Sequence, residues 1–183
     1  MKAAVVALLF AASAFAHAQS AGLPAACGVD KVTFNVTGDE ARHAAVQLVP
    51  GKARVYFVQD DGILGSGDDY NRWSGIQHNT IKIGMDGTWL GAYKNNSYFA
   101  LDVEPGEHHI CAKVQSHFSV GSLVALAHFT AEAGKIYFFR TRFLGGLSQK
   151  DSGPPYLDLD PIDSDQGKYL IASFPWSVWK GNK

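Results

Sequence analysis

The chain has little that would mark a specialised class. Of its 183 residues only 2 are cysteine and 18% are charged, with 16 Lys and Arg against 17 Asp and Glu. That balance gives no basic excess to neutralise phosphates and no acidic block to gather cations, which points away from nucleic acid as a partner. No CxxC pair, GxSxG elbow, phosphate-binding glycine loop or EF-hand spacing is present. Beyond the N-terminus no apolar run is long enough to span a bilayer, which takes about 20 residues. What is present is 46% hydrophobic and 12% aromatic residues, with 19 Gly. Such a chain can bury a core that offsets its conformational entropy, so disorder, collagen and coiled coil are excluded.

Met1 to Ala18 reads as a targeting leader. Lys2 supplies the positive start, Ala3 to Ala16 is apolar but for Ser13, and Ala16-His17-Ala18 offers small residues around a cleavage point. The mature chain is expected to begin at Gln19, to be soluble, and to lie in the periplasm or outside the cell. Lipidation at Cys27 is not expected, because Pro24 stands where a large aliphatic residue is needed and Gln19 to Gly22 separates Cys27 from the apolar run. In an oxidising compartment Cys27 and Cys111 read as one disulfide. Closing so long a loop stabilises by about 4 to 5 kcal/mol in chain-entropy terms. A metal site or redox pair, with His108 and His109 close by, is the alternative.

Past the leader the periodicity is two, with turn signals between the runs. Val32, Phe34 and Val36 give a first strand, and the polar stretch ending at Pro50-Gly51 a linker. Ala53–Gln59 is apolar on both faces and is expected to be covered on both. Ile81, Ile83 and Met85 lead into Asp86-Gly87, a type I′ hairpin signal, and Trp89 to Tyr93 returns. Asn95 and Asn96 mark a second turn and Pro105-Gly106 a third, flanking a strand from Tyr98 to Val103. His108 to Gln115 is expected to follow that strand back. Leu123 to Thr130 and Lys135 to Phe143 are expected to pair, with Ile136 to Phe139 in a central strand. Leu157 and Leu159 give a short strand. Asp163 with Gln166 three positions on caps one short helix, to about Ala172. Pro175 is expected to end regular structure.

These elements predict an all-β fold, a two-sheet antiparallel sandwich of immunoglobulin-like or transthyretin-like type with one short C-terminal helix. The expected boundaries are a leader at 1–18, an arm with one strand and a linker at 19–51, the sandwich at 52–172 and an aromatic tail at 173–183.

The run GMDGTWLGAYKNNSYFALDVEPGEHHICAK, then HFTAEAGKIYFFRTRF, then LDLDPIDSDQGKYL, resembles the DUF2846 family of exported bacterial proteins. The resemblance spans about Lys52 to Ile171 and keeps its parts in order. It implies a sandwich and an envelope location, and supplies no catalytic residue. The chain departs from the lipobox of many such proteins. Asp86, Gly87, Asn95, Asn96, Pro105 and Gly106 also have a direct physical reading, as turn positions that set strand register.

Candidate sites are few. Adjacent strand residues face opposite ways, so His108 and His109 cannot share an ion; His108 reads as a histidine bonding local backbone. His109, Cys111 and a distant His128 could meet at a metal, in competition with the disulfide for the same thiol. Asp60, Asp61, Asp68 and Asp69, spaced by glycines, could cradle Ca²⁺ or be a solvated turn-rich loop. With Tyr70 and Trp73 this is the expected binding loop, since long loops on rigid sandwiches carry function. Asp102 and Glu104 share a strand face and could form a carboxylate pair, or simply be solvated. Tyr56, Trp73, Trp89, Tyr93, Tyr98 and Phe99 could line a glycan or peptide face, or fill the core.

The expectation is a non-enzymatic, cofactor-free binding or structural module of the bacterial envelope, its partner a protein, peptide or glycan. The alternative is a metal- or calcium-dependent periplasmic enzyme or carrier using the Asp60 to Asp69 loop or the His109 region.

Overall fold

The computed structural model describes residues 24–29, 31–42, 47–60, 80–94, 96–115, 123–144 and 156–182. Ten strands occur in them: β1 (Thr33–Asp39), β2 (Ala53–Gln59), β3 (Thr80–Met85), β4 (Thr88–Tyr93), β5 (Tyr98–Val103), β6 (Gly106–Gln115), β7 (Val124–Ala131), β8 (Ile136–Leu144), β9 (Tyr156–Ile162) and β10 (Trp176–Asn182). One helix, α1 (Ser164–Ser173), precedes β10. A six-stranded sheet runs β1-β10-β5-β2-β8-β9 and a four-stranded sheet β4-β3-β6-β7. The expected two-sheet β architecture with its late helix is what forms.

The strand order corrects the expected antiparallel pattern. The larger sheet is mixed, because β2 runs parallel to β8 and β10 meets β5 in parallel at Trp176 and Tyr98. Asp86-Gly87 does close a hairpin between β3 and β4, with φ of 50° and 84° at the two turn residues. The turns at Asn96 and at Pro105-Gly106 instead lead from one sheet to the other, and so does the link from β7 to β8. The expected return of His108 to Gln115 beside β5, and of Lys135 to Phe143 beside β7, therefore does not occur. A tight turn reverses the chain but leaves open which sheet the next strand joins.

The second correction is at the C-terminus. Pro175 ends the helix and not the order, since Trp176–Asn182 is a strand paired along its length with β1. Its partner lies more than a hundred residues away in sequence, so no local signal announces it. The β1–β10 pair wraps the β4 edge and packs Phe34 and Val36 against Ala92, with Trp89 and Trp179 beside them.

The core has two layers. Between the sheets, Phe57, Phe99 and Phe139 meet Tyr93, Phe129 and Trp179, with ring centres 4.7 to 6.0 Å apart. On the outer face of the larger sheet, Phe138 stacks on Tyr56 at 5.0 Å and Tyr98 abuts Trp176 at 5.4 Å. Helix α1 covers this second layer. Asp163 caps it by accepting from the Asp165 and Gln166 amides at 2.9 and 3.0 Å. Buried Leu170 and Gly167 turn inward, and Gly167 lies so near the Phe138 ring that a Cβ there would collide with it. Strand β2 is consequently buried along its whole length, and β8 is central between β2 and β9.

Candidate binding site

Strand direction sorts the molecule into two ends. At one, β2, β6 and β8 finish and β3, β7 and β9 begin; the other carries the turns at Asp86-Gly87, Gly106 and Gly134 and the start of α1. Of the expected binding loop only Asp60 is described. Its amide donates to the Thr141 carbonyl at 3.0 Å and its carboxylate lies 3.6 Å from Arg140. Asp61, Asp68, Asp69, Tyr70 and Trp73 lie outside the described residues, as does Asn95.

The arm before β1 is fastened across the outer face of the smaller sheet. Cys27 is bonded to Cys111, with Cα atoms 5.1 Å apart. The Gly87 amide donates to the Ala26 carbonyl at 3.2 Å, and the Trp89 indole to the Val29 carbonyl at 2.7 Å. The Lys82 ammonium donates to the Val32 carbonyl at 2.9 Å and sits 4.3 Å above the Trp89 ring. The Gln115 amide accepts from the Phe34 N–H at 2.7 Å and donates to its C=O at 2.9 Å, standing in for a neighbouring strand. Cys111 is thus a structural sulfur, which removes it from any ligand set with His109 and His128.

His108 does bond local backbone, and more. One ring nitrogen is 2.8 Å from the Glu104 carbonyl oxygen and the other 2.6 Å from an Asp86 carboxylate oxygen. The second Asp86 oxygen accepts from the His109 amide at 2.9 Å. Partial burial opposes the charge on His108, but the Glu104 carbonyl and the Asp86 carboxylate outweigh it and raise its pKa. Asp86 is desolvated too, yet the His109 amide and the His108 ring hold its pKa below the ordinary value.

Asp102 and Glu104 do not form a carboxylate pair. Arg54, opposite Asp102 on β2, grips it through two hydrogen bonds of 2.7 and 3.0 Å, and Lys52 takes Glu104 at 2.8 Å. A further ionic group, which the sequence reading passed over, joins β8 to β9. Arg142 reaches Asp158 and Asp160, each at 3.1 Å. Protonated Asp160 donates to the Asp158 carboxylate; that bond, with burial, raises the pKa of Asp160, while Asp158, though desolvated, is held below its ordinary value by Asp160 and Arg142. Their i, i+2 spacing on a strand opposite an arginine was the available signal.

The aromatic face resolves as core: Tyr56, Tyr93, Tyr98 and Phe99 are buried, Trp89 is covered by the arm, and Trp73 lies outside the described residues. A concavity among the described residues lies elsewhere. Where the sheets part between β7 and β9, a cleft of about 210 Å³ is lined by His128 and Phe129, the start of β8 from Ile136 to Phe139, and Pro161, Ile162 and Ser164. Ile136 at its margin is 47% exposed. Treating β7 and β8 as a hairpin pair would close this gap, which is why sequence reasoning missed it.

His109 and His128 do come together. They are direct partners across the β6–β7 ladder, with ring centres 6.2 Å apart. Among the described residues no group of three or more His, Cys, Asp and Glu side chains is placed to hold a metal ion, and no helix is long and apolar enough to cross a membrane.

No curated protein and no solved structure matches the chain. A family model described as a protein of unknown function (DUF2846) matches residues 50–154, which run from the turn before β2 to the approach to β9 and include Cys111 but not Cys27, β1 or β10. With more than half of its length so matched, the chain belongs to the DUF2846 family.

Proposed function

We propose that this protein is an exported, non-enzymatic module of the bacterial cell envelope that binds a peptide segment of an envelope protein at the seam between β7 and β9. The observation that carries the binding reading is the cleft at that seam, where aromatic and aliphatic side chains meet polar groups, with Ile136 exposed beside it. A lining of this mixed kind, with Phe129, Tyr137 and Phe139 beside Ser164, suits a partner side chain that is part apolar and part polar. Export is supported by the disulfide, whose Cys111 is fully buried and whose persistence requires an oxidising compartment. The non-enzymatic reading is supported by how the ionisable groups are used: Arg54 with Asp102, Arg142 with Asp158 and Asp160, and His108 with Asp86 hold strands and turns together.

A photocrosslinking residue placed at Ile136 is expected to capture an envelope protein in living cells, and one placed at Tyr169, exposed on α1, is not. Equal capture at both positions, or none at Ile136, overturns the binding reading. Protein recovered from the periplasmic fraction is expected to begin near Gln19 and to carry no free thiol; a cytoplasmic, thiol-bearing product overturns export.

A further inference from the structure

We propose that His109 and His128 form a two-imidazole chelate for a divalent late transition ion, Cu²⁺ ahead of Ni²⁺ and Zn²⁺, on the outer face of the β6–β7 pair. The two residues stand directly opposite each other in the antiparallel register. Directly opposed residues have Cβ atoms about 4.5 to 5.5 Å apart and project from one face. The rings lie within 27° of parallel, with centres 6.2 Å apart. A metal–nitrogen bond is about 2.0 to 2.1 Å, so a modest side-chain rotation brings one nitrogen of each ring onto a shared ion.

That rotation breaks no hydrogen bond among the described residues; the ion-pairing group beside the His109 ring, Glu107, stands 3.6 Å from it. The His109 side chain is 60% exposed and His128 is also exposed. Among the described residues neither ring is hydrogen-bonded, in contrast to His108 next door, whose two nitrogens are both engaged. The backbone beneath them is fixed. β6 is flanked by β3 and β7, the His109 amide is held by Asp86, and Cys111, two residues along on the same face, is bonded to the arm. The cost of ligation is therefore confined to two side chains.

The donor set selects the ion. Two imidazoles suit Cu²⁺, Ni²⁺ and Zn²⁺, whereas Ca²⁺ and Mg²⁺ require oxygen cages. Glu107 lies on the same face with a carboxylate oxygen 3.6 Å from the His109 ring, and adds negative charge beside the cation. With two protein ligands the remaining coordination positions stay open to water or to a donor from another molecule. This differs from the closed four-ligand site of a structural zinc.

The test is titration of the untagged, disulfide-bonded protein with CuCl₂ by calorimetry, with electron paramagnetic resonance to count the nitrogen ligands. The expected result is one site of micromolar affinity with two equatorial imidazole nitrogens. His109→Ala and His128→Ala should each weaken it about a hundredfold, because a chelate becomes a single ligand. The double variant should lose little more than either single one. Both side chains are exposed, so the metal-free variants are expected to melt with the parent protein. Added Cu²⁺ should raise the Tm of the parent and leave that of the variants unchanged. Undiminished affinity in either single variant, or saturation of the parent only at millimolar copper, overturns the proposal.

Discussion

Asp86 accepts a hydrogen bond from His108 at 2.6 Å, which joins the β3–β4 turn to the start of β6. The other His108 nitrogen faces the Glu104 carbonyl at 2.8 Å. A carboxylate and a carbonyl can only accept, so both contacts are satisfied only by the doubly protonated, cationic ring.

Stability should follow that charge. The folded-state pKa of His108 is raised, so its contribution is complete below the unfolded value of about 6.5 and disappears as the pH climbs through the folded value. That of Asp86 is lowered, so its contribution is complete above the unfolded value of about 3.9 and disappears as the pH falls through the folded one. The clasp is at full strength between these limits. His108→Asn is expected to cost about 1 kcal/mol at pH 5, a charged hydrogen bond discounted for the half-exposed Asp86, and clearly less at pH 9. Urea unfolding at the two pH values measures it; an equal cost at both means the ring is not charged.

The disulfide should set the stability of the arm. Cys27 and Cys111 are 84 residues apart in sequence, and opening a loop of that size costs about 4 to 5 kcal/mol in chain-entropy terms. Reduction should lower the urea midpoint accordingly. It should also deprotect the arm amides that Ala26, Val29 and Val32 help to order, before those of β2 and β8. Hydrogen exchange in the presence and absence of reductant measures this, and simultaneous loss of protection everywhere would contradict a peripheral staple.

How much of this was legible in the sequence depended on whether the determinant was local. Asp86-Gly87 was readable because two successive positive φ values admit few residues, and Asp163 because a helix start needs a side-chain acceptor. Ala53–Gln59 showed its burial because both of its faces are apolar. The sheet-switching turns were not readable, since Pro105-Gly106 dictates a reversal and the packing of Phe57, Phe99 and Phe139 against Tyr93 and Phe129 decides which sheet each strand joins. Strand β10 escaped for the same reason, its partner β1 being distant in sequence. The His109–His128 pairing could be suspected from alternation along one strand, but its register came only with the β6–β7 ladder.

Arg54 is a buried cation on the outer face of the larger sheet, 5% exposed, and Asp102 accepts from it twice, at 2.7 and 3.0 Å. Asp102→Ala takes the counter-charge away from that guanidinium, whose other contacts, among them the Gln47 carbonyl at 3.0 Å, carry no full negative charge of that kind. The expected loss is about 2 to 3 kcal/mol, somewhat under the figure for a fully buried pair because Asp102 retains some contact with water. Asp102→Asn, which keeps an acceptor, should lose less. Chemical denaturation of the two variants checks the order, and equal losses would show that shape matters there and charge does not.

Gly167 offers a test in which two rules oppose each other. Alanine in place of glycine inside a helix ordinarily stabilises by about 1 kcal/mol. Here the new methyl would enter the ring of Phe138, which is buried and stacked on Tyr56 at 5.0 Å, so the ring can yield only by leaving that stack. Overpacking of this kind costs about 1 to 3 kcal/mol and lifts α1 from β2 and β8. Gly167→Ala is therefore expected to lower Tm, while Gly167→Ala combined with Phe138→Leu should recover part of the loss. A Tm that rises in the single variant would mean that α1 does not seat on Phe138, and the outer aromatic layer would then lack its cover.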